Sequence, residues 1–366
     1  MCERLPVRLP APSKRLRIPR TIVGALRSRA DSGFGSSTRR TNAMRVPSGD
    51  HVGVAGVRVP SVRVFGSPPS SEATGGPWLP PGRHVDLPGR GTTFVRQLDG
   101  PHDLPVFLLH GWTVSADLNW VGCYRPIADR HPVVALDHRG HGRGIRTDQR
   151  FRLSDCADDV VALADKLGIE RFMVVGYSMG GCIAQLTALR HPDRVAGLVL
   201  SATAAQFGPN KRRRATKLAV PAISQAMRLV PAETHERLFQ GMVAARANAG
   251  IEGWPLDEVK LGQPRAVLEA GAAILRFSST NWLGELDVPA AVVVTSTDTT
   301  VSPRLQQRLA DGLVDATVHQ APGDHASVVT QPGSYVPVLL DAIASVEQRI
   351  ERQTRLDVDG IDRSDP

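Results

Sequence analysis

Five short runs in this chain are almost wholly apolar, and each breaks off into a polar loop: Pro105–Trp112 (PVFLLHGW), His131–Gly142 (HPVVALDHRGHG), Arg171–Ser178 (RFMVVGYS), Val195–Thr203 (VAGLVLSAT) and Ala290–Asp298 (AAVVVTSTD). A strand with one face in water alternates apolar and polar residues. A strand lacking that alternation needs cover on both faces, as in a parallel sheet flanked by helices. The intervals between the runs carry helical patterns. In LSDCADDVVALADKLGI, Ser154 is a candidate N-cap and Gly168 a C-terminal stop. Gly181–Arg190 follows the third run, and Ser302–Leu313 opens on Ser-Pro with the proline in the first turn. Strands alternating with helices predict an α/β class with a mostly parallel, doubly wound sheet. HVDLPGRGTTFVRQL reads as a hairpin ahead of it, and ATVHQAPG as its last strand.

The alternation lapses between about Ala204 and Glu285, where helix-like stretches are punctuated by Pro and Gly without a good strand. An all-helical insertion at that place predicts a cap over the strand ends. Residues 1–85, rich in Arg, Pro, Ser and Gly, bury too little apolar surface to offset the entropy of ordering, so they read as a disordered tail. The expected divisions are a tail at 1–85, core at 86–203, cap at 204–285, core again at 286–353 and a flexible end at 354–366.

The formal charge of +8 suggests nucleic acid until it is located. Residues 1–85 carry +10, which leaves −2 for the rest, so the folded part is expected to have no nucleic-acid partner. Three readings of the tail stay open: a targeting segment, an arm for weak contact with a membrane or other anionic surface, or an early start with Met44 as the true one. No run of about 18 apolar residues suggests a membrane span. Cys2, Cys123, Cys156 and Cys182 are scattered, without zinc-site or disulfide spacing, which fits a reducing, cytoplasmic setting. The oligomeric state is left open.

In open α/β sheets, sites form at the carboxyl ends of strands. One run ends at Ser178, with Gly176 and Gly180 two residues to either side. A serine on a sharp strand-to-helix turn needs small neighbours, and the helix that follows favours developing negative charge. Another run ends at Asp298, and the last strand leads to Asp324 and His325. A serine hydroxyl is a poor nucleophile without a base. His325 is the candidate base and Asp298 the residue that would orient it. The backbone N–H of Met179 and that of Trp112, in a loop shaped by His110 and Gly111, are the candidate oxyanion donors.

Taken together, LLHGW, ALDHRGHGRG, GYSMGG, TSTDTTVSP and PGDHAS resemble the α/β-hydrolase superfamily over about residues 86–350, in its branch of esterases and lipases with a helical cap. The resemblance implies a serine hydrolase using Ser178, Asp298 and His325 on a small-molecule ester, with no cofactor and no metal. In that family the DHRGHGRG loop is mainly structural, so Asp137 and His138 are not assigned to catalysis, and His141 reads as a loop residue. An Asp at the nucleophile position would point to dehalogenases or epoxide hydrolases; serine argues against both. One departure is Thr295, where family members often carry glycine three residues before the acid. It is expected to matter little. The same triad serves perhydrolysis, acyl transfer and C–C hydrolysis, and some proteins of this fold only bind small ligands. Lys211–Arg214 could meet an anionic group but reads more simply as a solvated helix face. Trp112, Trp120, Met179, Trp254 and Trp282 are candidates to line a pocket, with Trp254 and Trp282 the readier assigned to packing.

Overall fold

A computed structural model describes residues 76–207 and 230–361. The tail readings, Met44, Cys2 and the Lys211–Arg214 run all lie outside these residues.

The hairpin forms as β1 (Gly82–Leu87) and β2 (Gly91–Leu98). The apolar runs become β3 (Val106–Leu109), β4 (Val133–Leu136), β5 (Phe172–Tyr177), β6 (Val195–Ser201) and β7 (Ala290–Thr295), and the chain closes the sheet with β8 (Ala316–Ala321). The eight strands lie in the order β1-β2-β4-β3-β5-β6-β7-β8, and β2 runs antiparallel to both its neighbours. Successive residues of one strand feed opposite layers. Along β5, Phe172 and Val174 belong to one cluster of buried side chains, while Met173 and Val175 belong to the other. This is the double cover that the missing alternation demanded.

The first layer is filled by Val160 and Leu163 of α3 (Leu153–Leu167), Ile183 of α4 (Met179–Arg190) and Leu309 of α8 (Pro303–Gly312). There Phe107 and Phe172 pack with ring centroids 4.3 Å apart; cutting either to Ala costs about 3–5 kcal/mol. The second layer takes Trp120 of α1 (Ala116–Trp120), Ile127 of α2 (Tyr124–Ala128), and Tyr335, Leu339 and Ile343 of α10 (Pro332–Ile361). Trp120 is therefore part of the core. Cys123, Cys156 and Cys182 are free and buried.

Three sequence expectations change. Helix α3 starts at Leu153, after an extended Arg152 without a side-chain cap, so Ser154 lies inside the helix. Burial of Leu153 draws the first turn two residues earlier than the cap signal suggests. The stop at Gly168 is as expected, at φ 69°. Second, β1 begins at Gly82, and Trp78 and Leu79 pack on the core, with the Arg125 guanidinium 3.9 Å from the Trp78 ring. Residues 78–85 thus belong to the folded body; their Pro- and Gly-rich surroundings mask two apolar anchors. Third, α10 continues past residue 353 to Ile361, through a polar stretch in which Glu351 and Arg355 pair one turn apart.

Between β6 and β7 lie α5 (Ala232–Asn248), α6 (Trp254–Lys260) and α7 (Pro264–Arg276), a helical cap inserted in the sheet. Its own core is Phe239, Val243, Val259 and Val267, closed against Leu118, with Trp254 packed alongside. Trp282 packs on the first layer beside Phe277. Among the described residues, no helix is long and apolar enough to cross a membrane.

Candidate active site

Ser178 is the hinge between β5 and α4, and its backbone sits at φ 53°, a region L-residues avoid. The surroundings hold it there. Ser178 N–H donates to Ser201 O at 2.9 Å, and the Ser178 carbonyl accepts from the Thr203 hydroxyl at 2.8 Å and the Gly181 N–H at 2.9 Å. Both flanking glycines are forced by contact. A Cβ on Gly176 would stand 2.4 Å from Gly180 O, and one on Gly180 would stand 2.0 Å from Leu109 O. The turn therefore closes against its own helix and against the end of β3.

His325 lies in the loop after β8, and Asp298 in the loop after β7. The structure brings both to Ser178. Ser178 Oγ is 3.0 Å from His325 Nε2, and His325 Nδ1 is 2.7 Å from Asp298 Oδ2. A carboxylate only accepts, so the imidazole proton sits on Nδ1 and Nε2 presents its lone pair to the serine. Asp298 is 2% exposed, while the His325 side chain keeps 25% of its surface open. The carboxylate is sealed and the imidazole is open to an incoming molecule.

Asp298 is well supplied with donors. Its Oδ1 accepts the Thr300 and Val301 N–H groups, each at 2.8 Å, and its Oδ2 accepts the Thr295 hydroxyl at 3.0 Å. Burial pushes its pKa up. The hydrogen bond and charge of His325, the Val301 N–H and the Thr295 hydroxyl outweigh that and hold it below the usual carboxylate value. Thr295, expected to matter little, is thus a direct donor to the carboxylate. Tyr177 fixes the other side of the base by donating its hydroxyl to His325 O at 2.8 Å.

The loop after β3 runs beside the serine: a Cβ on Gly111 would come 3.5 Å from Ser178 Cβ. Asn119 anchors this loop by accepting the Gly111 N–H at 3.0 Å. His110, wholly buried, donates from Nδ1 to Gly111 O at 2.8 Å and accepts the His138 N–H on Nε2 at 2.9 Å. Burial drives its pKa down to about 4, so it is a neutral clamp at ordinary pH. Trp112 follows, its indole N–H donating to Val267 O of the cap at 2.7 Å. Met179 is the first residue of α4, and the first N–H groups of a helix have no partner within it. Arg246 of α5 donates to the Thr113 hydroxyl, and Glu258 of α6 binds Ser115 and Arg143, which fastens the cap over this loop.

Asp137 accepts the Ala116 N–H on Oδ1 and the Arg143 N–H on Oδ2, both at 2.7 Å, so it braces two loops and does not reach Ser178. Sequence reasoning missed Gln306, Asn119 and Thr203. Gln306 could have been found: it shares a helical face with Leu309 and Ala310, and a polar side chain on an apolar face needs a buried partner. Asn119 and Thr203 carry no comparable signal.

A family model for the α/β hydrolase fold matches residues 105–332. The chain is 29% identical over 252 residues to the provisionally named carbamate hydrolase RutD of Caulobacter segnis, covering 62% of this chain and 91% of that protein. It is also 29% identical over 244 residues to the pimeloyl-[acyl-carrier protein] methyl ester esterase of Chromobacterium violaceum, covering 64% and 92%. Among solved structures, a hydrolase from Pseudomonas aeruginosa PA01 superposes with a TM-score of 0.59 at 19% identity, covering 72% of this chain and 98% of the other. That last likeness is one of fold.

Proposed function

The chain belongs to the α/β-hydrolase fold family, and from that premise we propose that it is a serine hydrolase cleaving carboxylic esters through an acyl-enzyme on Ser178. The observation that carries the reading is the unbroken run of hydrogen bonds from Ser178 Oγ through His325 to Asp298, at 3.0 and 2.7 Å. Ser178 attacks the ester carbonyl while His325 Nε2 takes its proton. Asp298 keeps the imidazole in the required tautomer and stabilises the imidazolium without itself becoming protonated. The Met179 and Trp112 N–H groups receive the oxyanion, and loss of one such donor typically lowers the rate by about 10²–10³. The tetrahedral species collapses, His325 protonates the leaving alcohol, and the acyl group stays on Ser178. Water, deprotonated by His325, then releases the acid.

The names of the two relatives, one for carbamates and one for a methyl ester, share a carbonyl bearing a heteroatom leaving group, which is the chemistry this arrangement suits. The test is the intact mass of the chain after exposure to a fluorophosphonate. The expected result is one adduct, absent from Ser178→Ala and greatly slowed in His325→Ala. A folded chain that takes no adduct would end the nucleophile reading and favour a protein that binds small ligands without turnover.

A further inference from the structure

Far from Ser178, three metal-ligating side chains meet at the opposite end of the parallel strands. His102 lies just before β3, His131 just before β4, and Glu347 on α10; their ligand atoms are all within 4.8 Å of one another. His102 Nε2 is 2.9 Å from Glu347 Oε1 and His131 Nε2 is 3.5 Å from Glu347 Oε2. Ligands about 2.0–2.1 Å from a tetrahedral zinc stand about 3.4 Å from each other, and these two separations bracket that value. The two imidazole rings are tilted 47° to one another, with centroids 4.9 Å apart.

The hydrogen bonds give a second, independent sign. His131 donates its Nδ1 proton to Leu104 O at 3.2 Å, which leaves Nε2 as a lone pair. That side chain is 1% exposed, and its Nε2 has no hydrogen-bond partner. It faces a carboxylate oxygen, an acceptor against an acceptor. With His131 buried and Glu347 only partly exposed, that facing pair needs a positive charge between them. We propose that His102, His131 and Glu347 form a divalent metal site, of zinc character, that ties the β2–β3 loop, the loop before β4 and α10 together at the base of the sheet.

Two imidazole nitrogens and one carboxylate oxygen match the donor set of zinc, with a fourth position left for water. Binding asks one rearrangement. His102 Nδ1 now accepts the Leu104 N–H at 3.0 Å, so its proton sits on Nε2. That proton must pass from Nε2 to Nδ1, so that Nε2 presents its lone pair to the metal, and the Leu104 N–H then bonds to water. Arg130, next to His131 in the chain, is the nearby cation that opposes binding. Because the site lies at the other end of the strands from Ser178, metal should change stability and leave esterase turnover unchanged.

The experiment is calorimetric titration of the full chain with Zn²⁺ after chelator treatment, repeated with Co²⁺ while its visible absorption is recorded. Expected are one equivalent bound, the intense bands of tetrahedral Co²⁺, and a rise in Tm with Zn²⁺. Since loss of an outer partner alone weakens metal sites by about 10–100-fold, His102→Gln and Glu347→Gln should each weaken binding at least tenfold and abolish the Tm rise. Both changes fall on partly exposed side chains, and the Co²⁺ spectrum of the unaltered chain tests the geometry without any variant. No binding at micromolar metal, weak octahedral bands, or an affinity unmoved in both variants would overturn the site and leave an ordinary His–Glu cluster.

Discussion

Gln306 and Thr295 hold each other twice: the Thr295 N–H donates to Gln306 Oε1 at 3.0 Å, and Gln306 Nε2 donates to Thr295 Oγ1 at 2.8 Å. The lock aims the Thr295 hydroxyl at Asp298 Oδ2. Gln306→Leu should therefore act through Asp298 on His325. Leaving the buried Thr295 N–H unpaired costs about 1–3 kcal/mol of stability. Under the proposed mechanism kcat should fall by about tenfold with KM unchanged, since Gln306 touches no substrate. A loss confined to KM, or to stability with full kcat, would remove Gln306 from the positioning of the acid.

A second prediction rests on close contact. The Cβ of Gly180→Ala would land 2.0 Å from Leu109 O, a backbone atom that cannot swing aside, whereas that of Gly271→Ala meets the Trp112 ring at 2.7 Å. Overpacking typically costs about 1–3 kcal/mol. Gly180→Ala should sit at or beyond the top of that range and lose nearly all turnover. Gly271→Ala should keep its fold, shift Trp112 and change KM more than kcat. Urea midpoints and steady-state kinetics on a p-nitrophenyl ester separate the two; equal effects would mean the elbow tolerates movement that its packing denies.

How much of this is legible in the sequence depends on the range of the interaction. The unalternating runs specify a doubly covered sheet because each residue's need for cover is local. The strand-end positions of Ser178 and Asp298 follow from the same runs, and that of His325 from the separate strand ATVHQAPG. The start of α3 does not, because a long-range burial of Leu153 overrides the local cap signal at Ser154. Nor does the role of Thr295, whose hydroxyl finds Asp298 and Gln306 only once the β7 loop and α8 are folded together. Trp78 is hidden for a different reason: composition averages over a window, and a single anchor in a Pro-rich stretch disappears into it.

The buried clamp at His110 makes stability depend on pH with a definite sign. Its pKa is about 4 in the fold, against about 6.5 in the unfolded chain. Between those values the unfolded chain binds the extra proton, so stability is complete above pH 6.5 and drains as pH falls toward 4. The loss is about 3 kcal/mol in all, an order-of-magnitude figure, at about 1.4 kcal/mol per pH unit. His141, pushed down to about 3 by burial, acts in the same direction. His110→Gln keeps an acceptor for the His138 N–H and removes one titration. Its urea midpoints, taken from pH 7.5 to 4.5, should fall less steeply than those of the unaltered chain by about one proton. Parallel curves would mean that His110 is not the neutral clamp described.

Asp298→Asn is the most searching test of the proposed mechanism. The Thr300 and Val301 N–H groups both point at Oδ1, each at 2.8 Å, so an asparagine must place its carbonyl oxygen there. Its NH₂ then takes the Oδ2 position, 2.7 Å from His325 Nδ1. A donor now faces Nδ1, which can only accept, and the imidazole proton moves to Nε2. Nε2–H points at Ser178 Oγ and cannot take its proton. The geometry is nearly unchanged, yet the base is blocked. In a triad of this design that substitution lowers kcat by about 10⁴, and fluorophosphonate labelling of Ser178 should slow in parallel. The Thr295 hydroxyl would also lose its acceptor at Oδ2, which adds about 1–3 kcal/mol of destabilisation. A far-UV spectrum and a cooperative melt establish that the variant is folded. A folded Asp298→Asn chain with turnover within tenfold of the native would mean that Asp298 does not set the tautomer, and that His325 works alone or with another partner.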